Sequence, residues 1–81
     1  MLRKEIIVQL NDIVEERFEI DKSVITEKLD VRKTLDLDSM RAMELIVIIK
    51  KQFGIQISPR HLSLIVTFGD IYDYIEQHKN L

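Results

Sequence analysis

Apolar residues recur at helical spacing in three stretches of the chain and lose that spacing between them. In the first stretch Ile6, Leu10, Ile13, Val14 and Phe18 form one face, which predicts a helix from about Leu2 to Phe18. Lys4, Glu5, Asp12, Glu15, Glu16 and Arg17 occupy most of the rest, as a solvated surface would. The second stretch opens at Asp38, whose carboxylate suits a helix N-cap, and runs through Leu45, Ile46 and Ile49 to Phe53. Gly54 follows where a helix end favours left-handed backbone, and Lys50 and Lys51 complement the negative end of the helix dipole. Ser58-Pro59 is a further start signal, with serine as cap and proline at the first helical position, and it opens a short helix through about Leu64. Thr67 with Asp70 forms a variant capping box ahead of Phe68, Ile71, Tyr72 and Ile75, so the last helix extends to about His78. Residues 19–38 hold isolated apolar positions among charges; Val24, Ile25, Leu29, Val31, Leu35 and Leu37 could pin this loop to a core, with a helical turn inside it. The pattern predicts an all-α fold: a small four-helix bundle of three long helices and one short one, with a long loop between the first and second.

Composition narrows this picture. The chain has 81 residues, read as a single domain spanning 1–81, near the lower size limit for folding without staples. It has no cysteine, so disulfides cannot help, and its 46% hydrophobic content must supply the core. Two glycines and one proline disfavour a turn-rich β fold. A formal charge of −2 gives no long-range attraction for a phosphate backbone, so nucleic-acid binding is not expected. No apolar run approaches the roughly 20 residues of a membrane span. The apolar start of the chain is broken by Gln9, Asn11 and Asp12, unlike a secretory signal. We expect a cytoplasmic monomer.

Enzymatic constellations are scarce. His61 and His78 lack ligand spacing and read as surface histidines, and no metal site is expected. Ser39, His61 and Asp36 could be written as a triad, but no nucleophile elbow or glycine-bearing oxyanion loop accompanies them. Met40, Met43 and Val47 form a second apolar stripe on the helix that already carries Leu45, Ile46, Ile49 and Phe53. Residue pattern alone suits core and partner surface equally, since exposed apolar patches mark partner sites and methionine adapts to several partners. Asp38-Ser39 is by itself an ordinary helix start. What singles out Ser39 is its context: a long polar loop delivers its hydroxyl to the positive end of a helix, a favourable place for a phosphodiester. No general base adjoins it in sequence, so it reads as an acceptor modified by another enzyme.

These residues form a recognisable pattern. Leu35-Asp36-Leu37-Asp38-Ser39-Met40, followed by Glu44-Leu45, resembles the phosphopantetheine attachment motif of acyl carrier proteins, Leu-Gly-x-Asp-Ser-Leu with a downstream Glu-Leu. Phe53-Gly54-Ile55-Gln56-Ile57 is similar to the end of that family's second helix, and the run from Ile65 to Ile75 to its last-helix entry. The likeness covers nearly the whole chain, as for a free-standing carrier.

The resemblance implies a function. Ser39 would carry a covalent 4′-phosphopantetheine arm placed there by a phosphopantetheinyl transferase acting on coenzyme A, with Asp38 as part of the motif and helix cap. Acyl-loading and acyl-processing enzymes would be the other partners. The arm's thiol would hold acyl intermediates as thioesters and shuttle them between biosynthetic enzymes of a fatty-acid-like, polyketide-like or other specialised pathway, the carrier itself catalysing nothing. Met40, Arg41, Met43, Glu44, Val47 and Lys51 would form the partner surface, and Ile49, Ile65, Phe68 and Ile71 would line an acyl cleft. An aminoacyl or peptidyl carrier, or an unmodified helical adaptor, is the alternative. Two departures stand out. Asp36 replaces the motif's glycine, which strains the backbone if φ there is positive. Arg41, Lys50 and Lys51 stand where fatty-acid-synthesis carriers are acidic, which points to partners other than the general fatty-acid enzymes.

Overall fold

The computed structural model describes residues 2–79. Among them are five α-helices: α1 (Arg3–Phe18), α2 (Val31–Leu35), α3 (Ser39–Phe53), α4 (Pro59–Leu62) and α5 (Phe68–Lys79), with a 3₁₀ turn at Lys22–Val24. The all-α bundle is as expected. The three long helices and the short α4 stand where the pattern places them, and the connection after α1 adds a second short helix, α2.

The start and stop signals act through the predicted atoms. The Asp38 carboxylate accepts from the Arg41 amide at 2.8 Å, and Ser58 Oγ from the His61 amide at 3.0 Å. Gly54 is left-handed at φ 71° and closes α3. Thr67 and Asp70 form a reciprocal box: the Thr67 amide donates to Asp70 Oδ2 at 3.0 Å, and the Asp70 amide to Thr67 Oγ1 at 3.2 Å. Helix α4 stops at Leu62, earlier than expected, and α5 begins just after Thr67.

The amides of Thr67 and Val66, both donating to Asp70, hold its carboxyl below the usual carboxylate range. A depressed folded-state value means stability that is present above the unfolded value, about 3.9, and lost as pH falls through the lower folded one. Asp70→Ala is therefore expected to cost about 1–2 kcal/mol at pH 7. The gap to wild type should close below roughly pH 4. Urea midpoints measured across pH check this; a gap of constant size would contradict it.

The core gathers residues from every helix: Ile6, Leu10, Val14 and Phe18 of α1, Val31 and Leu35 of α2, Leu45, Ile46, Ile49 and Phe53 of α3, Leu62 of α4, and Phe68, Ile71, Tyr72 and Ile75 of α5 are all buried. One polar side chain joins them. Asn11 follows the spacing of Val14 and Phe18, is buried, and accepts from the Tyr72 hydroxyl at 2.5 Å. Burial pushes the Tyr72 hydroxyl pKa up, so it stays a donor. Outside the core, Arg3 ties the start of α1 to Asp73 of α5 at 2.7 Å and to Glu27.

Residues 19–30 are held by local and backbone bonds more than by burial. Val24 does not pin the loop to the core: it is 55% exposed, because the 3₁₀ turn points it outward. Ile25, Leu29 and Leu37 pack partly on the core, and Val31 and Leu35 are fully inside it. A short backbone seam fastens this region to the start of α5. Val31 donates to Val66 O at 2.9 Å, Phe68 to Leu29 O at 3.1 Å, and Gly69 to Glu27 O at 2.9 Å. A Cβ at residue 69 would lie 2.9 Å from that Glu27 oxygen, so glycine is what permits the close approach.

Candidate functional site

The site is assembled where α2 ends and α3 begins. Helix α2 closes with its Asp36 cap at φ 50°, ψ 55°, in the left-handed region. The Leu37 amide returns to Arg32 O at 3.0 Å, as in a Schellman closure. The chain reverses within a few residues, and Asp38 then caps α3. Aspartate tolerates left-handed backbone better than most residues, yet still at a cost that glycine avoids. Asp36→Gly is therefore expected to raise stability by about 0.5–1 kcal/mol despite the greater freedom of glycine in the unfolded chain. A shifted urea midpoint with unchanged slope would show it.

Ser39 is the first residue of α3 and is exposed. Asp38 satisfies the Arg41 amide, and Ala42 bonds back to Asp38 O at 2.9 Å. Among the described residues, the Ser39 and Met40 amides have no protein acceptor. The site thus offers a free hydroxyl beside two free amides at the positive end of a 15-residue helix. These features suit a phosphodiester on Ser39 Oγ, because the amides can meet its charged oxygens.

The second stripe of α3 faces outward. Met40 is 80% exposed, Met43 51% and Val47 45%, while Leu45, Ile46, Ile48 and Ile49 turn into the core. Lys51 is exposed and Glu44 half-buried beside them. A shallow groove of about 200 Å³ runs between α1 and α3, bordered by Ile13, Arg17, Glu44, Val47 and Lys51. Arg41 differs from its neighbours in the expected partner surface. Its guanidinium Nη1 turns back to donate to Leu35 O at 3.1 Å.

Ile49, Ile65, Phe68 and Ile71, the expected cleft lining, all lie buried in the one hydrophobic cluster. Of the four, Ile65 also borders a second groove, with His61, Leu64, Asp70, Asp73 and Tyr74. Both histidines are exposed, and both rest on Tyr74, His61 edge-on at 4.5 Å between centroids and His78 stacked at 3.9 Å. Asn11 and the bond of the exposed Arg41 back to Leu35 O escape the sequence reading. Asn11 carried a signal in its spacing to Val14 and Phe18; Arg41 carried none.

A family profile described as "Phosphopantetheine attachment site" matches residues 8–75. The acyl carrier protein of Lactobacillus johnsonii is 34% identical over 80 residues, covering 99% of this chain and 100% of that one. The acyl carrier protein of Thermotoga maritima is 32% identical over 75 residues, 93% of each. Among solved structures, an acyl carrier protein from Enterococcus faecalis superposes with a TM-score of 0.79 at 30% identity, covering 95% of this chain and 98% of that one. A small helical bundle matched along nearly its whole length by a phosphopantetheine-attachment profile is a carrier-type domain, and this chain belongs to the acyl carrier protein family. The family's cofactor is 4′-phosphopantetheine, held covalently.

Proposed function

We propose that Ser39 is the attachment residue and that the chain acts as a non-catalytic carrier, modified and loaded by other enzymes. The observation that supports this most is the exposed Ser39 hydroxyl at the first position of α3, beside two free amides. Its role is passive: the carboxylate next to it in the chain, Asp38, is engaged in capping, so the proton goes to a base on the transferase. In the transfer, Ser39 Oγ forms a new ester to the phosphorus as the adenine-nucleotide portion of coenzyme A leaves. The arm supplies a thiol that holds an acyl group as a thioester. The carrier works as a monomeric single domain in the cytoplasm, and among the described residues no helix is long and apolar enough to cross a membrane. Incubation with coenzyme A, magnesium and a broad-specificity phosphopantetheinyl transferase tests the reading. Intact mass should rise by one phosphopantetheinyl group, and an unchanged mass would sink it.

The surface offered to partners is the Met40, Met43 and Val47 stripe with Glu44 and Lys51. Its exposure supports this, because an apolar stripe left in water is a site for contact. Lys50 and Lys51 leave this helix positive, while the whole chain carries −2. The preferred partners therefore present carboxylates. Reversing both lysines (Lys50→Glu with Lys51→Glu) should raise kcat/KM with a ketosynthase of general fatty-acid synthesis by about tenfold at low salt. The gain should shrink as salt is added. No gain would remove charge as the discriminator.

A further inference from the structure

Two arginines join the elements around Ser39 in series. From the first turn of α3, Arg41 Nη1 donates to Leu35 O at 3.1 Å. From α2, Arg32 Nη2 donates to Leu62 O at 3.1 Å. Each acceptor is the carbonyl of the last residue in a short helix, α2 of five residues and α4 of four. Both arginines are exposed residues, and both guanidinium bonds are partly buried at the carbonyl they reach. Helices this short are not stable alone, and their final carbonyls lack intrahelical partners. Leu62 O also accepts from the Ile65 amide at 3.1 Å, whereas Leu35 O takes its bond from Arg41; at both ends the cation complements the helix dipole. Among the described residues neither arginine forms an ion pair, so each guanidinium is available for this task.

The serine lies inside the resulting frame. The Arg41 side chain reaches from just after Ser39 to Leu35, just before the reversal through Asp36 and Leu37. It closes a ring of residues 35–41 with the hydroxyl on its rim. The Leu37 amide, bonded to Arg32 O at 3.0 Å, lies within the same ring.

We propose that Arg41 and Arg32 form a clasp that fixes the frame presenting Ser39, with Arg41 the principal positioning residue for phosphopantetheine transfer. The proposal rests on Ser39 being the attachment residue. A transferase meeting an unclasped chain must first order the ring. The apparent KM for the carrier then rises by the inverse of the ordered fraction, while kcat at saturation holds.

Arg41→Gln should raise the carrier's KM in arm transfer about tenfold with kcat unchanged. In the free chain it should speed hydrogen exchange at the Leu37 amide. Arg32→Gln should act in the same direction. The double variant should raise KM by less than the product of the single effects, because both act through one frame. Arg41→Lys, which keeps the charge but loses the planar fork, serves if Arg41→Gln lowers the melting temperature beyond use, and should also speed Leu37 exchange. Unchanged Leu37 exchange, or KM effects that simply multiply, would overturn the clasp and make Arg41 a direct contact of the enzyme. Failure of the Ser39 assignment reads differently. It appears as no mass gain on wild type, or as transfer that survives loss of the serine, whereas Leu37 exchange is measured without any transfer.

Discussion

Ser39→Ala is expected to accept no phosphopantetheine at all while folding as well as wild type. The two halves of that result come from different atoms. Ester formation needs the Oγ of Ser39, and no neighbouring hydroxyl stands on the exposed start of α3. Stability does not depend on that oxygen. The cap of α3 is Asp38, whose carboxylate takes the Arg41 amide, and among the described residues Ser39 Oγ has no hydrogen-bond partner. Alanine at the first position of a helix is well tolerated, so the change should cost less than about 0.5 kcal/mol. Intact mass after treatment with transferase and coenzyme A, and a thermal melt of the same sample, check both halves. Modification of the variant would move the arm elsewhere. A large loss of stability would mean that Ser39 has a structural duty the fold does not show.

The largest effect on stability is expected at Phe68. Its ring is fully buried among residues of the single core. Its amide also forms the middle bond of the seam, to Leu29 O at 3.1 Å. Phe68→Ala would remove the ring and leave a cavity, at a cost of about 3–5 kcal/mol. A core of this size rarely supplies more than about 3–5 kcal/mol in total. The variant should therefore be substantially unfolded at 25 °C, visible as lost helical circular dichroism without denaturant. Phe68→Leu, which keeps most of the volume, should remain folded with a lowered urea midpoint. If the alanine variant melted cooperatively near wild type, the space around Phe68 would have to be far more adaptable than its burial implies.

The helices that build the bundle were legible in the sequence because their ends are written in local chemistry. Asp38, Gly54, Ser58 with Pro59, and Thr67 with Asp70 act on atoms within their own turn, so short-range pattern suffices to find them. Helix α2 was less legible. It is too short to show periodicity, and beyond its local cap, where Asp30 accepts from the Lys33 amide at 2.9 Å, distant groups hold it: the Val66 carbonyl accepts from Val31, and Arg41 reaches its last carbonyl. Of the site, the place of Ser39 at a helix start could be anticipated, whereas for the Met40, Met43 and Val47 stripe residue pattern suited core and surface equally and only the family resemblance pointed outward. The bond from Arg41 back to Leu35 O could not be anticipated, since an exposed cation on a helix gives no sign in sequence of the carbonyl it reaches. The question left open at Asp36 is answered by its positive φ, so the missing glycine leaves strain in the turn before the serine.

The seam between residues 27–31 and 66–69 also bears on how sequences of this shape can drift. The two glycines are under unequal constraint. Gly54 needs a left-handed backbone, but open space surrounds the place of its missing Cβ, so asparagine is a tolerable successor there. Gly69 lacks room: any Cβ meets backbone at Glu27, and no rotation of a neighbouring side chain relieves it. A lineage can exchange residue 54 by one mutation. Exchange at residue 69 requires the chain near Glu27 to move first, so drift at that position waits on a second, distant change.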